Sequence, residues 1–587
     1  MIIKGCDKLE RLDRLKEEMK KENIDFYVIP SADPHKSEYI SDHWKTREYF
    51  SGFTGSAGTL VVSEEETILW TDGRYFVQAE KELEGSGIKL YKIGIKGYPK
   101  LKDYIRERLQ NEEVLGVYGK LVSVSEFKSW TEGIDSAAYS IIEDLPGRIW
   151  KDRPELENSE LFILEDKYTG ESVKSKLKRL REYMDEKDEH IHVTSSLDEI
   201  AYLYNLRGRD IENNPVFISY SIVKKNEAFL FTDGKINDEI RKHAENEGFE
   251  IRPLSEFEEE LEEIRLKNVG LDPEKTNIWI KEKLNFNKIL YNPEILTEFE
   301  ALRNKIQIEN MKKAHIRDGA AVIKTLNYIY KNIDEGITET DISRKLIEYR
   351  SECEEFIEPS FDTIAAYKDH GAMMHYCADK DSEYTLERDG LLLIDSGGHY
   401  LTGTTDITRT FTLGNPTKLQ IRDYTLALKG MINLSRMKFL EGTSGATLDI
   451  TAREFLWREG RDYKCGTGHG VGYLLSVHLG NQRISPAAKN VLFKPGMVVT
   501  NEPGVYRPGE YGIRIENMLL VRESSISEDD DFLEFETLTL CPFDKRLIDF
   551  SLITEREANF LRDYHGKMRE RLSKYLTEEE RELIWYI

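Results

Sequence analysis

The sequence predicts a mixed α/β (α+β) chain in three parts: two related α/β domains over residues 1–152 and 153–298, then a domain over 299–587 in which helices precede hairpins. Three observations predict it. A helix, strand and turn pattern occurs twice in the first half of the chain. Two hairpin-forming segments near the C-terminus carry four carboxylates between them. Helical spacing fills the stretch ahead of those hairpins.

The first unit opens with a charged helix, about Lys8 to Glu22, and the strand Asp25 to Ile29, stopped by Pro30-Ser31. SGFTGSAGTLVVS, from Ser51 to Ser63, reads as a glycine-rich turn and strand, and ILWTDGRYF, from Ile68 to Phe76, as a strand and turn. Gly52, Gly55 and Gly58 have the wrong spacing for a dinucleotide loop and lead into a strand, so they are turn residues. The linker follows at Trp150 to Pro154. The second unit repeats the pattern with a helix from about Val173 to Asp188, a strand from His190 to Ser195, a helix in DEIAYLYNLRG, a strand around Val216 to Ile222, and FLFTDG from Phe229 to Gly234. Thr71-Asp72-Gly73 and Thr232-Asp233-Gly234 hold comparable places, which predicts a duplication. Asp72 and Asp233 are therefore turn formers, and His190 and His192 alternate as strand residues do. Tyr291-Asn292-Pro293 closes the unit.

Helical spacing covers residues 302–317 and 319–332, Thr338 begins another helix, and strands start near Pro359. LLLIDSGGHYLTGTTDITRTF, from Leu391 to Phe411, reads as strand, turn and strand; folded about Tyr400 and Leu401, it sets Asp395 opposite Asp406. His399 lies near that turn. MVVTNEPGVYRPGEYGIRIENMLLV, from Met497 to Val521, turns at Arg507-Pro508-Gly509-Glu510 and sets Glu502 opposite Glu516. Ser524 to Asp531 is a solvated acidic loop, and Leu547 to Ile587 forms two closing helices.

Opposed side chains in an antiparallel pair lie roughly 4.5–5.5 Å apart at Cβ, where like charges repel. A chain that builds acid against acid twice needs shared protons or bound cations, and shared protons explain one pair more easily than two. His469 decides for cations. It sits in Cys465-Gly466-Thr467-Gly468-His469-Gly470-Val471-Gly472, where glycine at alternate positions allows close backbone approach and positive φ. A neutral imidazole with four carboxylates suits a pair of divalent ions of the manganese, cobalt or zinc type.

With 587 residues the chain has room for about three or four domains of roughly 150 residues each. Its 83 Lys and Arg against 108 Asp and Glu give a net charge of −25 and a pI near 5.1, which argues against a nucleic-acid or anionic-membrane partner. The charged start and the lack of an eighteen-residue apolar run predict a soluble, unexported protein. Five scattered cysteines, Cys6, Cys353, Cys377, Cys465 and Cys541, fit a reducing cytoplasm. Trp457 is read as core or interface.

The hairpin and histidine motifs resemble the catalytic domain of the pita-bread metallopeptidases, a family that includes methionine aminopeptidase, prolidase and Xaa-Pro aminopeptidase (aminopeptidase P). The family's ligands, in the order Asp, Asp, His, Glu, Glu, match Asp395, Asp406, His469, Glu502 and Glu516. PSADPHKSEY, SGFTGSAGT, WTDGRYF, LYNLRGRDIENNPVF and GAMMHY extend the likeness over nearly the whole chain to the long, three-domain Xaa-Pro aminopeptidases, with creatinase-type N-terminal domains. The resemblance implies a dinuclear aminopeptidase acting on peptides with proline second, manganese as the usual ion with zinc or cobalt acceptable to the same donors, a homodimer, and a cytoplasmic place. It implies that Glu502 accepts a proton, that His375 and His478 assist the intermediate, and that Arg74, His375, His469 and His478 meet the substrate.

Three departures stand out. Cys465 occupies a position where several relatives have histidine, Leu479-Gly480-Asn481 replaces a Glu-Gly-Pro string, and Lys368-Asp369-His370 replaces a more neutral loop, with His370 not a ligand. The alternatives are a prolidase cleaving Xaa-Pro dipeptides, a metal-free creatinase-type hydrolase, and a binding protein on a retired peptidase fold like the family's histone-chaperone relatives. Those relatives lose metal ligands; this chain keeps all five.

Overall fold

The computed structural model describes residues 5–292 and 295–586. Pro293, with which the sequence closes its second unit, lies outside the described residues, as do Met1 to Lys4 and Ile587. The chain forms two compact units, one of Met1–Ile163 with Glu171–Ile295 and one of Leu164–Gly170 with Leu296–Ile587.

The duplication is visible in the strand order of the N-terminal unit. One six-stranded sheet runs Lys89–Lys92, Thr67–Thr71, Thr59–Ser63, Phe26–Pro30, Leu115–Tyr118, Tyr139–Ile142. The other runs Glu250–Arg252, Ala228–Phe231, Tyr220–Lys224, Ile191–Thr194, Asn268–Leu271, Lys288–Tyr291. Position by position the pairings agree: two antiparallel junctions around the third strand of each sheet, and parallel ones elsewhere. The two sheets share one apolar core, with Phe26 and Val28 from the first and Ile191 and Val193 from the second. The strand expected at Val216 to Ile222 forms instead at Tyr220–Lys224, because the Ile218 N–H donates to the carboxylate of Asp210 at 2.8 Å, outside any sheet ladder.

In the C-terminal unit one helix, Lys305–Asn332, follows the short helix Ile295–Ala301, where the sequence predicts two spans. Asn304 and Gln307 close a capping box at its start. Gly319 does not break it; a Cβ there would stand 2.0 Å from the Leu540 carbonyl oxygen, so the missing side chain lets another segment lie against the helix. Thr338 caps the next helix, Glu339–Arg350, as expected. The closing helices are Glu555–Leu572 and Glu578–Tyr586.

Two antiparallel sheets follow. Ile364–Tyr367, Leu391–Ser396 and Ile407–Thr412 form a three-stranded sheet. Lys438–Leu440, Phe532–Thr537, Asn517–Ser524 and Val498–Asn501 form a four-stranded one. Period-two alternation gives each sheet an apolar and a polar face. Leu392, Ile394, Ile407 and Phe411 pack with Val322, Leu326 and Leu346 of the first helices, which sends Asp395, Thr408 and Thr410 to the other side. Val499, Leu519 and Val521 pack with Leu434, Leu448 and Ala452 from helices Lys418–Ser435 and Gly445–Trp457, which sends Thr500 and Met518 to the opposite face.

Candidate metal centre

Register decides which acids meet. In the first hairpin Asp395 pairs with Thr408, and the same register continues through His399 with Thr404. The hairpin therefore turns about Leu401 and Thr402, and Asp406 does not lie opposite Asp395. The expected facing pair is corrected to a diagonal one. Shifting a turn centre by one residue moves the partner by two, and a two-residue move keeps the face, so both aspartates still belong to the polar side. In the second hairpin Val498 to Asn501 pair with Leu520 to Asn517, and Gly504 to Arg507 pair with Arg514 to Tyr511. Glu502 and Glu516 fall between these two ladders in one continuous register, opposite each other as the turn at Gly509 predicts; Gly509 has φ +74°.

Three of the five residues are buried, and His469 and Glu502 are half-buried. Asp395, Asp406 and Glu516 are 8%, 4% and 1% exposed, too dry for ionised carboxylates without partners. His469 Nε2 lies 3.4 Å from Asp406 Oδ2 and 3.5 Å from Glu502 Oε1. Its Nδ1 donates to the Gly470 carbonyl at 3.0 Å; a carbonyl can only accept, so Nδ1 carries the hydrogen and Nε2 faces the acids as a ligand nitrogen would. Arg514 donates to Asp395 Oδ2, to Thr408 Oγ1 at 3.1 Å and to Tyr506 Oη at 2.8 Å. Thr408 Oγ1 in turn donates to Glu516 Oε2 at 2.7 Å, and Thr500 Oγ1 to Glu502 Oε1 at 3.2 Å.

Without a metal ion these groups resist ionisation together. Burial raises Glu516 well above its ordinary value, reinforced by Asp406, Glu502 and Asp395. Burial also raises Asp395 and Glu502, against the pull of Arg514 on both and of His469 on Glu502. For His469 burial opposes the charged ring, but the Asp406 hydrogen bond and the Glu502 charge outweigh it and raise the imidazole to about 9. A proton on His469 thus stands where a cation is wanted.

The residues fit divalent ions. Ligand atoms of Asp406, His469 and Glu516 lie within 4.8 Å of one another, and Asp395 Oδ1 is buried with no hydrogen-bond partner. An oxygen-rich set with one imidazole matches hard or borderline divalent metals.

The glycine-rich stretch supports His469 through contact, not through unusual backbone angles: Gly466, Gly468, Gly470 and Gly472 are absent from the positive-φ residues. A Cβ on Gly468 would stand 1.9 Å from the Thr500 carbonyl oxygen, and one on Gly470 2.2 Å from that of Leu479. Arg453 braces the same stretch, donating to Asp449 Oδ2 at 2.6 Å and to the carbonyls of Tyr463 and Cys465 at 2.8 Å each. Cys465 is a thiol that burial pushes up to about 12.

The other predicted residues fall as follows. The His478 ring lies edge-on to His469, with centroids 4.3 Å apart. His375 is exposed, one residue after Met374, whose carbonyl accepts from Arg514 at 3.4 Å. His370 bonds the Glu339 carboxylate and is no part of the acid cluster. His399 is fully buried, its Nδ1 3.0 Å from Thr404 Oγ1. Arg74 belongs to the N-terminal unit, where it pairs with Asp72 at 2.7 Å. Residues missed by sequence reasoning are Arg514, Thr408 and Arg409. Arg409 lies under the centre, donating to the carbonyls of Glu516, Thr408 and Cys541 and to Asn517 Oδ1 and Tyr564 Oη. The signal for Thr408 was present, since Thr408 and Thr410 alternate in phase with Asp406.

Known proteins match this chain over nearly its whole length. The model of metallopeptidase family M24 matches residues 309–523, and its C-terminal region matches 531–586. Creatinase/prolidase N-terminal domain models match 11–153 and 152–307. Xaa-Pro aminopeptidase 1 of Dictyostelium discoideum is 37% identical over 602 residues, covering 98% of this chain and 95% of that protein. The crystal structure of an X-prolyl aminopeptidase from Caenorhabditis elegans, described as a cytosolic enzyme with a di-nuclear active site, superposes with a TM-score of 0.92 at 32% identity, covering 98% of each chain. A prolidase from Pyrococcus horikoshii, 23% identical, shares the fold over 63% of this chain and 99% of its own, with a TM-score of 0.50. The chain belongs to metallopeptidase family M24, with creatinase/prolidase N-terminal domains ahead of the peptidase domain.

Proposed function

We propose that the chain is a metal-dependent aminopeptidase that hydrolyses the bond between an N-terminal residue and a following proline. The observation that carries this reading is the cluster of buried Asp395, Asp406 and Glu516 with half-buried His469 and Glu502, in a chain alike to Xaa-Pro aminopeptidases over its full length. Two divalent ions held by these residues would supply Lewis acidity and activate water at neutral pH. Asp395 and Asp406 would hold them from one hairpin, Glu502 and Glu516 from the other, and His469 through Nε2.

The protein's own groups do the rest. Glu502, beside His469 and held by the Thr500 hydroxyl, serves as general base. His478 beside His469, and His375 beside Met374, orient the peptide and donate to its developing negative charge. Arg74 contacts the substrate. Acidic side chains receive the free amino terminus, which favours an exopeptidase. Manganese is the ion, and the enzyme works as a cytosolic homodimer; the cytosolic description of the C. elegans protein supports the location. No helix among the described residues is long and apolar enough to cross a membrane.

Hydrolysis of Xaa-Pro-Xaa, Xaa-Ala-Xaa and Xaa-Pro substrates tests the reading. Preference for the first supports it, preference for the dipeptide makes the protein a prolidase, and no turnover with a full metal complement makes it a binding protein. Metal analysis and light scattering of the purified protein decide ion and oligomeric state.

A further inference from the structure

Glu339 is fully buried at the first position of helix Glu339–Arg350, where the helix dipole favours an anion. Its carboxylate accepts from the Tyr367 N–H at 2.6 Å, the Tyr376 hydroxyl at 2.9 Å and the Tyr384 N–H at 2.8 Å. His370 Nδ1 lies 3.0 Å from each of its oxygens; the carboxylate only accepts, so Nδ1 is the donor. The His370 ring is stacked between Tyr384, with centroids 3.7 Å apart, and Tyr376, at 4.2 Å. One acid thus ties down the beginning, middle and end of residues 367–384.

That segment contains no strand after Tyr367 and carries the exposed His375. Lys368, at its start, adopts a left-handed backbone with φ +54°, which is unfavourable for a lysine and needs contacts elsewhere to hold it. On the far side the segment meets the metal centre. Gly371 and Gly512 approach so closely that a Cβ on Gly512 would stand 1.6 Å from the Gly371 carbonyl oxygen. The Met374 carbonyl accepts from Arg514, the guanidinium that grips Asp395. His375 therefore sits on a strap fastened at one side to the acid cluster and at the other to Glu339.

We propose that Glu339 and His370 are positioning residues, which hold residues 367–384 so that His375 meets the substrate in a single place. The proposal builds on the aminopeptidase reading and on His375 as a substrate contact. His370 belongs to the Lys368-Asp369-His370 departure from the family's usual loop, so this clasp adapts the chain's own variant segment. Displacing a substrate-orienting group by about 1 Å costs on the order of 100-fold in rate, which sets the size of the effect.

The test uses the metal-loaded, full-length enzyme and an Xaa-Pro-Xaa peptide, with His370→Ala, His370→Asn, His375→Ala and the double variant His370→Ala/His375→Ala. His370→Ala is expected to lower kcat/KM by roughly 10–100-fold with metal content unchanged. His370→Asn, whose amide can donate to Glu339 from near the Nδ1 position, is expected to recover most of that loss. The double variant is expected to be no worse than His375→Ala, because a strap that positions nothing has nothing further to lose. Parental kinetics in His370→Ala, or a double variant showing the product of both losses, overturns the proposal. Deuterium exchange separates the two readings. Unchanged exchange across residues 367–384 in His370→Ala overturns the clasp whatever the activity, whereas raised exchange in a chain whose parent cleaves no such peptide overturns the aminopeptidase reading.

Discussion

Arg514 donates to Oδ2 of Asp395, while Oδ1 of the same carboxylate is buried without a donor. Replacing Arg514 by Ala removes the counter-charge and the anchor together. Activity on the preferred peptide is expected to fall roughly 10–100-fold, as for other groups that orient a ligand. In metal-stripped protein the unpaired Asp395 is expected to cost about 3–5 kcal/mol, read from denaturant melts. Lysine does not rescue, since one ammonium cannot reproduce the fork to Asp395, Thr408 and Tyr506.

Acidity and metal are expected to compete. Asp395, Glu502 and Glu516 are raised in the folded, metal-free protein, and His469 is raised from 6.5 to about 9. A folded-state value above the unfolded one gives stability that is complete below the unfolded pKa and lost as pH rises through the folded value. The Tm of stripped protein should therefore drop between about pH 5.5 and pH 9. Added manganese displaces these protons, so the Tm increment it gives should be larger at pH 8.5 than at pH 5.5. Equal increments would count against metal at this cluster.

Gly468→Ala places a methyl group 1.9 Å from the Thr500 carbonyl oxygen, next to the ligand histidine. Overpacking of this kind costs about 1–3 kcal/mol. Bound metal per chain should fall as well, because the His469 N–H is tied to Thr500 Oγ1 at 3.1 Å. Elemental analysis beside a thermal melt measures both.

Cysteine labelling should separate the thiols sharply. Cys377 is exposed, whereas Cys541 is buried and both Cys465 and Cys541 are pushed up to about 12. At pH 8 a thiol at about 12 is ionised to roughly one part in 10⁴, and the thiolate is the reacting form. Iodoacetamide is expected to modify Cys377 in the native protein and Cys465 and Cys541 only after unfolding, as peptide mass mapping would report.

The four candidate acids were legible because acids at fixed spacing around a turn are a one-dimensional signal, and His469 because it stands in a glycine-rich stretch between them. Glu502 and Glu516 followed directly from the positive-φ turn at Gly509. Asp395 and Asp406 were placed on the correct face in the wrong register, since nothing local distinguishes a turn at Tyr400-Leu401 from one at Leu401-Thr402 once a short inner ladder intervenes. The duplicated sheets could be read from repeated Thr-Asp-Gly turns. Arg514, Arg409 and Glu339 were not legible as parts of the site, because their partners lie 119, 155 and 31 positions away in the chain. Gly319 misled for a similar reason: its role is set by Leu540, far along the sequence.

Arg409 has a consequence for how the protein is made. All five donors have left the ribosome once Glu516 emerges, yet the guanidinium beneath them still lacks Cys541, and Tyr564 in helix Glu555–Leu572 comes later again. A nascent chain therefore carries the full chemical signature before it owns the scaffold that aligns it, and maturation of the centre must wait for translation of the C-terminal helix.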